Sequence, residues 1–204
     1  MKTSNYILIA LFAFVTVSLL VLFISARGHE NGDRFNFIQK EYPLDSVNVI
    51  VAEPEVSIHI RQSNENSLTI HYLRDDKVPE NPYRVSNDTL FVSKVVCQNG
   101  MSPTIEVYVN HLSSFVARNK SNIRIHDFTF NKLEINADQA RVNLQNSSIE
   151  EVIVQADNSE ISMYLTKGTS IFGKLENNSN LRGDSKSISK MDVEKDQNSR
   201  ISFQ

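Results

Sequence analysis

The chain has 204 residues, a net charge of −3, one cysteine, six glycines and no tryptophan. That length holds one ordinary domain plus an appendage. The charge offers no basic field for nucleic acid, lone Cys97 allows no intramolecular disulfide, and the composition is neither fibrous nor low-complexity.

Tyr6 to Ala26 is a run of 21 residues without a charge. A transmembrane helix needs about 20 apolar residues, whereas the apolar part of a cleaved signal peptide is only about 7–15 long. Cleavage after Ala26 would also put Ile24 where a small residue is preferred. The sequence therefore predicts an uncleaved signal anchor over 6–26. Lys2 lies on one side and Arg27 and Arg34 on the other, so the charge bias hardly orients it. A short tail inside and the long domain outside is the expected arrangement: a single-pass membrane protein whose domain faces the periplasm or the cell surface.

Residues 27–34 are polar and turn-rich and read as a tether. Alternation of apolar and polar residues then predicts strands over Ser46–Ile50, Glu55–Ile60 and Leu68–Tyr72, and later over Thr89–Ser93 and Ile105–Val109. Turns fall at Gln62–Ser67, across Pro79 and Pro82 to Asn87-Asp88, and at Asn99-Gly100. Cys97 lies in the apolar run Val95-Val96-Cys97 and reads as a small buried hydrophobe. No amphipathic helix of useful length follows residue 27, so the class is all-β.

From about Leu112 onward the chain is a repeat. A small residue, any residue and an aliphatic recur at Ser121, Ala140, Ser159, Ser179 and Ser199, with spacings of 19, 19, 20 and 20. Such a period, too short for a helix-containing pair, suits one coil of a β-solenoid, with equivalent positions about 4.8 Å apart. The register writes the core. Ile123, Val142, Ile161, Leu181 and Ile201 form one inward ladder; Ile125, Leu144, Met163 and Phe203 form a second, interrupted by Gly183. Leu133, Val152, Ile171 and Met191, with Ile135, Val154, Gly173 and Val193, precede the turn. Arg141 and Glu160 are expected as exposed neighbours. Asn119, Asp138, Asp157, Asn177 and Gln197 read as a turn ladder of residues that tolerate left-handed backbone.

With Phe35-x-Phe37-Ile38, Ser57-Ile58-His59-Ile60 and Thr89-Leu90-Phe91-Val92 ahead of these rungs, the chain resembles the bacterial auto-transporter adhesin head, or GIN (DUF2807), family. Members often carry Gly-rich turns where this chain has Asp138-Gln139-Ala140 and Asp157-Asn158-Ser159. The resemblance implies that 35–204 is a right-handed parallel β-helix-like domain, outside the cytoplasm, with a binding or structural role.

Asp138 and Asp157 occupy equivalent places on successive rungs, a juxtaposition similar to the carboxylate pairs of glycosidases, but the preferred reading is a ladder of stacked turn residues, because a fold alone does not license function. His59 and His71 are expected to face outward on two strands paired about the turn near Glu65. Two imidazoles without a third ligand do not make a zinc site. There is no Gly-rich phosphate loop, Gly-x-Ser-x-Gly elbow or Cys-x-x-Cys pair. No catalytic, cofactor-binding or metal-ligating residue is assigned. Asp45-Ser46-Val47 and Asp88-Thr89-Leu90 match a tripeptide that some bacteria O-glycosylate. The expectation is a non-enzymatic, membrane-tethered interaction, adhesion or envelope-structural module, its partners an envelope protein or a glycan. The alternatives are a polysaccharide-active β-helix enzyme using Asp138 and Asp157, and an accessory or sensor subunit.

Overall fold

The structure is a computed structural model. It describes residues 14–19, 21, 37–73, 82–97, 102–167 and 169–204. The chain divides into two compact units, Met1–Asn36 and Phe37–Gln204. In the first, 14–19 and 21 are helical, and Phe14, Val17, Leu19 and Val21 are exposed. Among the described residues no helix is long and apolar enough to cross a membrane. The transmembrane helix expected over 6–26 thus has no support in the described structure. The rest of that segment, the tether at 27–34, Phe35, Pro79 and the Asn99-Gly100 turn lie outside the described residues.

The second unit is built of strands. Its first seven are β1 (Phe37–Pro43), β2 (Val49–Ala52), β3 (Ser57–Gln62), β4 (Ser67–Leu73), β5 (Tyr83–Ser86), β6 (Thr89–Val92) and β7 (Thr104–Val109). Then come β8 (Ser114–Arg118), β9 (Asn122–His126), β10 (Thr129–Asp138), β11 (Arg141–Asp157) and β12 (Glu160–Leu165). The last are β13 (Thr169–Glu176), β14 (Asn180–Gly183), β15 (Ile188–Lys195) and β16 (Arg200–Phe203).

From β8 onward each rung gives one strand to each of two sheets. Sheet A stacks β9, the first part of β11, β12, β14 and β16 in parallel. Sheet B stacks β8, β10, the second part of β11, β13 and β15, also in parallel. β11 serves both sheets because Asn146, at φ 50°, turns it, and the register shifts between Gln145 and Ser147. This is a β-solenoid, and its register is the one the repeat implied. Ile123, Val142, Ile161 and Leu181 stack in one ladder and none has exposed surface. The second ladder narrows at Gly183, where a Cβ would lie 2.2 Å from the Met163 carbonyl oxygen. Gly173 is tighter still, since its Cβ would meet the Val154 oxygen at 1.9 Å.

From Ser159 onward the recurring serine has a mechanical reason, whereas the buried Ser121 hydroxyl has no hydrogen-bond partner among the described residues. Ser159 Oγ accepts from the Ala140 N–H at 3.0 Å and donates to the Asp157 carbonyl at 2.7 Å. Ser179 and Ser199 likewise accept from the N–H of Ser159 and Ser179, at 3.2 and 3.1 Å. These corner N–H groups lie inside the turn, where no strand ladder reaches them, and the hydroxyl of the next rung satisfies them. The acid and amide column behaves differently from expectation. Asn119 and Asn177 are left-handed, but on the intervening rungs the left-handed residues are Gln139 and Asn158. Asp138 and Asp157 end strands. Lys120 and Asn178 are left-handed too, so the expected place holds at Asn119 and Asn177, the bend falls one residue later at Gln139 and Asn158, and Gln197 is not left-handed.

The N-terminal third departs from simple stacking. β2 pairs with both β6 and β8, and β3 with both β7 and β9, all in parallel. The β2–β3 rung is therefore inserted between β6–β7 and β8–β9, although it precedes both in the chain. Antiparallel strands close this end: β1 and β4 on sheet A, and β5 on sheet B. The chain reverses into β6 at Asn87-Asp88, whose φ angles of 47° and 57° suit a tight hairpin.

Candidate functional site

The described residues bring no His, Cys, Asp or Glu groups of three together to hold a metal ion. What they do present is two outward sheet faces, and charge divides between them. On the five rungs from β8–β9 to β15–β16, the outer face of sheet A carries Arg124, Arg141, Arg182 and Arg200 against one carboxylate, Glu160. The outer face of sheet B on the same rungs carries Arg118, Lys132, Lys174 and Lys190. Against them stand seven carboxylates: Asp138, Asp157 and Glu176 in one column, with Glu134, Asp192, Glu151 and Glu194 beside it. The chain's small net charge thus conceals a cationic face backed by an acidic one.

On face A, Glu160 joins two arginines, reaching Arg141 Nε at 2.9 Å and Arg182 Nη2 at 2.7 Å. Arg182 Nε also donates to Ser162 Oγ at 2.8 Å. The expected Arg141–Glu160 pair is present, but it belongs to a network spanning three strands. Further along, Arg124 has no carboxylate within ion-pair distance among the described residues, and its Nη1 approaches His59 Nε2 at 3.5 Å. Burial lowers the His59 pKa, and the Arg124 charge lowers it further. In the next column Tyr108, Arg61, His126, Gln145 and Tyr164 stand in line across five strands. Tyr164 is 48% exposed.

The two histidines singled out in the sequence are not on paired strands. β7 separates β3 from β4, because β4 folds back antiparallel onto β7 and not onto β3. Glu106 of β7 lies between them. It accepts from the Tyr108 hydroxyl at 2.7 Å and lies 3.3 Å from His71 Nε2. Burial pushes the Glu106 carboxyl up, but the hydrogen bonds from Tyr108 and His71 outweigh it and its pKa falls below the ordinary value.

Asp138 and Asp157 do come together, as register neighbours at the margin of sheet B. They line a shallow groove of about 380 Å³ with Val116, Arg118, Lys174 and Glu176. Asp157 Oδ1 accepts from Asn177 Nδ2 at 2.9 Å, so one carboxylate is engaged by the neighbouring turn. Of the two tripeptide hydroxyls, Ser46 is exposed, while Thr89 Oγ1 donates to the Asn87 carbonyl at 3.3 Å. Sequence spacing hides the basic face, because its arginines lie 17, 41 and 18 residues apart and fall in two adjacent columns that only the strand register brings onto one face.

No family model matches the chain, and no curated protein matches it. Solved structures do. A candidate adhesin from Bacteroides fragilis is 14% identical, with a TM-score of 0.54 over 82% of this chain and 97% of that one. A candidate adhesin from Parabacteroides distasonis is 9% identical, with a TM-score of 0.45 over 84% and 95%. One from Parabacteroides merdae is 12% identical, with a TM-score of 0.37 over 85% and 97%. At 14% identity the likeness to the Bacteroides fragilis protein is one of fold.

Proposed function

We propose that this is a non-enzymatic, membrane-tethered, extracytoplasmic interaction or adhesion module of the GIN type. The observation that carries the reading is the pair of broad, solvent-facing sheet faces, on which polar side chains repeat at the rung spacing. Such a face recognises an extended partner by many weak contacts, as concave repeat proteins do. The shared fold with a candidate adhesin supports the same reading, and the uncharged run over 6–26 supports the tether.

Protease added to spheroplasts that express the full chain tests this. Digestion of the domain, leaving only a membrane-bound fragment that contains 6–26, is the expected result. A domain that survives until the cells are lysed refutes the extracytoplasmic location. A mature N-terminus near Arg27 would remove the anchor and leave the location standing.

The alternative enzyme draws on the Asp138–Asp157 register pairing alone. A screen against polysaccharides with Asp138→Asn and Asp157→Asn decides it: an activity lost in both variants would replace the adhesion reading. No cleavage is expected.

A further inference from the structure

We propose that the outer face of sheet A binds an anionic polysaccharide lying along the solenoid axis, its carboxylate or sulfate groups taken by arginine side chains. This rests on the extracytoplasmic reading above and supplies its ligand class.

Charge is the first argument. Four arginines face one carboxylate on face A of the repeat; beyond it β3 adds Arg61 and β7 adds Glu106, so the cations still prevail by five to two. The opposite face is acidic, so a polyanion has one side of the slab to approach. Choice of cation is the second. Every lysine on the repeat's outer faces is on sheet B, at Lys132, Lys174 and Lys190, whereas face A uses arginine alone. Solubility needs no such choice. Two parallel N–H donors that match a carboxylate or sulfate do.

Spacing is the third argument. Neighbouring strands lie about 4.8 Å apart and a sugar unit in an extended polysaccharide advances about 5 Å, so successive residues of the chain meet successive rungs. The side chains are graded for this. Arg141 and Arg182 are held in place by Glu160, at 2.9 and 2.7 Å. Arg124 has no carboxylate of its own among the described residues. Tyr164, 48% exposed at one end of the Arg61–His126–Gln145 column, adds an aromatic side chain of the kind that packs on sugar C–H groups.

The test uses the full chain in non-ionic detergent, titrated with polygalacturonate, heparin and uncharged dextran at increasing salt. Binding to polygalacturonate, to heparin or to both, but not to dextran, is expected, and it should weaken as salt rises. Preference between the first two distinguishes carboxylate from sulfate. Arg61→Gln with Arg124→Gln should weaken binding about tenfold, as loss of charge-assisted hydrogen bonds implies. Lys132→Gln with Lys174→Gln on face B should leave it unchanged. Unaltered melting temperatures certify both variants as folded. Equal loss in both pairs, no loss in the first, or no binding to either polyanion overturns the proposal. So does capture of phosphatidylglycerol vesicles through the same arginines with no glycan bound, which would assign the face to a membrane surface. If the domain is outside the cell and binds no polyanion, this inference falls alone; if it is cytoplasmic, both fall.

Discussion

Ser159 is almost wholly buried, and its hydroxyl both accepts from the rung before it and donates to its own turn. Ser159→Ala would leave the Ala140 N–H without an acceptor inside the corner. We expect a loss of about 1–3 kcal/mol, read from the denaturant midpoint, the cost of an unsatisfied buried donor. A loss under about 0.5 kcal/mol would mean that the corner relaxes to another acceptor. Gly183 makes a sharper case. Its missing side chain is where the Met163 carbonyl oxygen and the Phe203 ring approach, at 2.2 and 2.8 Å. Gly183→Ala should destabilise by at least about 2 kcal/mol through backbone displacement, read as a lowered melting temperature. The sequence showed Gly183 only as a gap in a ladder, because period reveals which position is odd and not what presses on it. His59 has a consequence for pH. Its pKa is lower in the fold than in the free chain, so its neutral form favours folding. That contribution is complete above the ordinary value of 6.5 and is lost as pH falls through the depressed one. Acid unfolding monitored below pH 6.5 should therefore be shallower in His59→Gln. An unchanged slope would show that the ring sheds no more water in the fold than outside it.

At the level of strands, β11 and β12 test the in-and-out register. Ile161 has no exposed surface and stacks between Val142 and Leu181 in its ladder. Ile161→Ala should cost about 2–5 kcal/mol, since mid-stack neighbours cannot close the cavity. Glu160, half-buried in the structure, reads from the sequence as exposed and dispensable. Because it holds Arg141 and Arg182 together, Glu160→Ala is expected to cost about 1 kcal/mol, the upper end for a surface ion pair. Equilibrium unfolding of both variants checks the ranking, and equal losses would break the register. The parallel rungs were legible because a ladder needs the same chemistry at the same place each turn, so the core wrote itself into the spacing. The pairing of β4 was not. His71, Thr69 and Leu68 alternate as any strand does, and alternation says which face is buried without saying whose edge is adjacent. The turn column holds at Asn119 and Asn177 and is one residue early at Asp138 and Asp157, for a related reason. Asp, Asn and Gln fill two consecutive places there, and composition does not tell which of the two bends backwards.

Across the whole solenoid unit, sheets A and B turn opposite charges outward over the same five rungs. Packed sheets are about 10 Å apart, so this separation of charge persists at the scale of a Debye length and orients the slab beside any charged surface. The candidate face was legible only in part. The repeat marks Arg141 and Glu160 as outward neighbours, but local pattern sets the strand of His59 beside that of His71, where β7 in fact lies, and gives no sign of Arg124. Long-range register, which joins Arg124 to His59 across 65 residues, is where local pattern stops.

The interleaving of β2–β3 between β6–β7 and β8–β9 also governs how the chain is assembled during synthesis. The first rung to be made has no lasting neighbour until residues 89–109 emerge on one side of it and 114–126 on the other. Assembly therefore begins inside the finished stack and grows both ways. Once β1, β4 and β5 seal one end, growth proceeds by single rungs toward β16. A chain stopped after Asp184 should keep a folded, shortened stack, with slow amide exchange in β3 and β9. Excising residues 49–62 should abolish folding altogether, because the later rungs lose the template on which both directions of growth start.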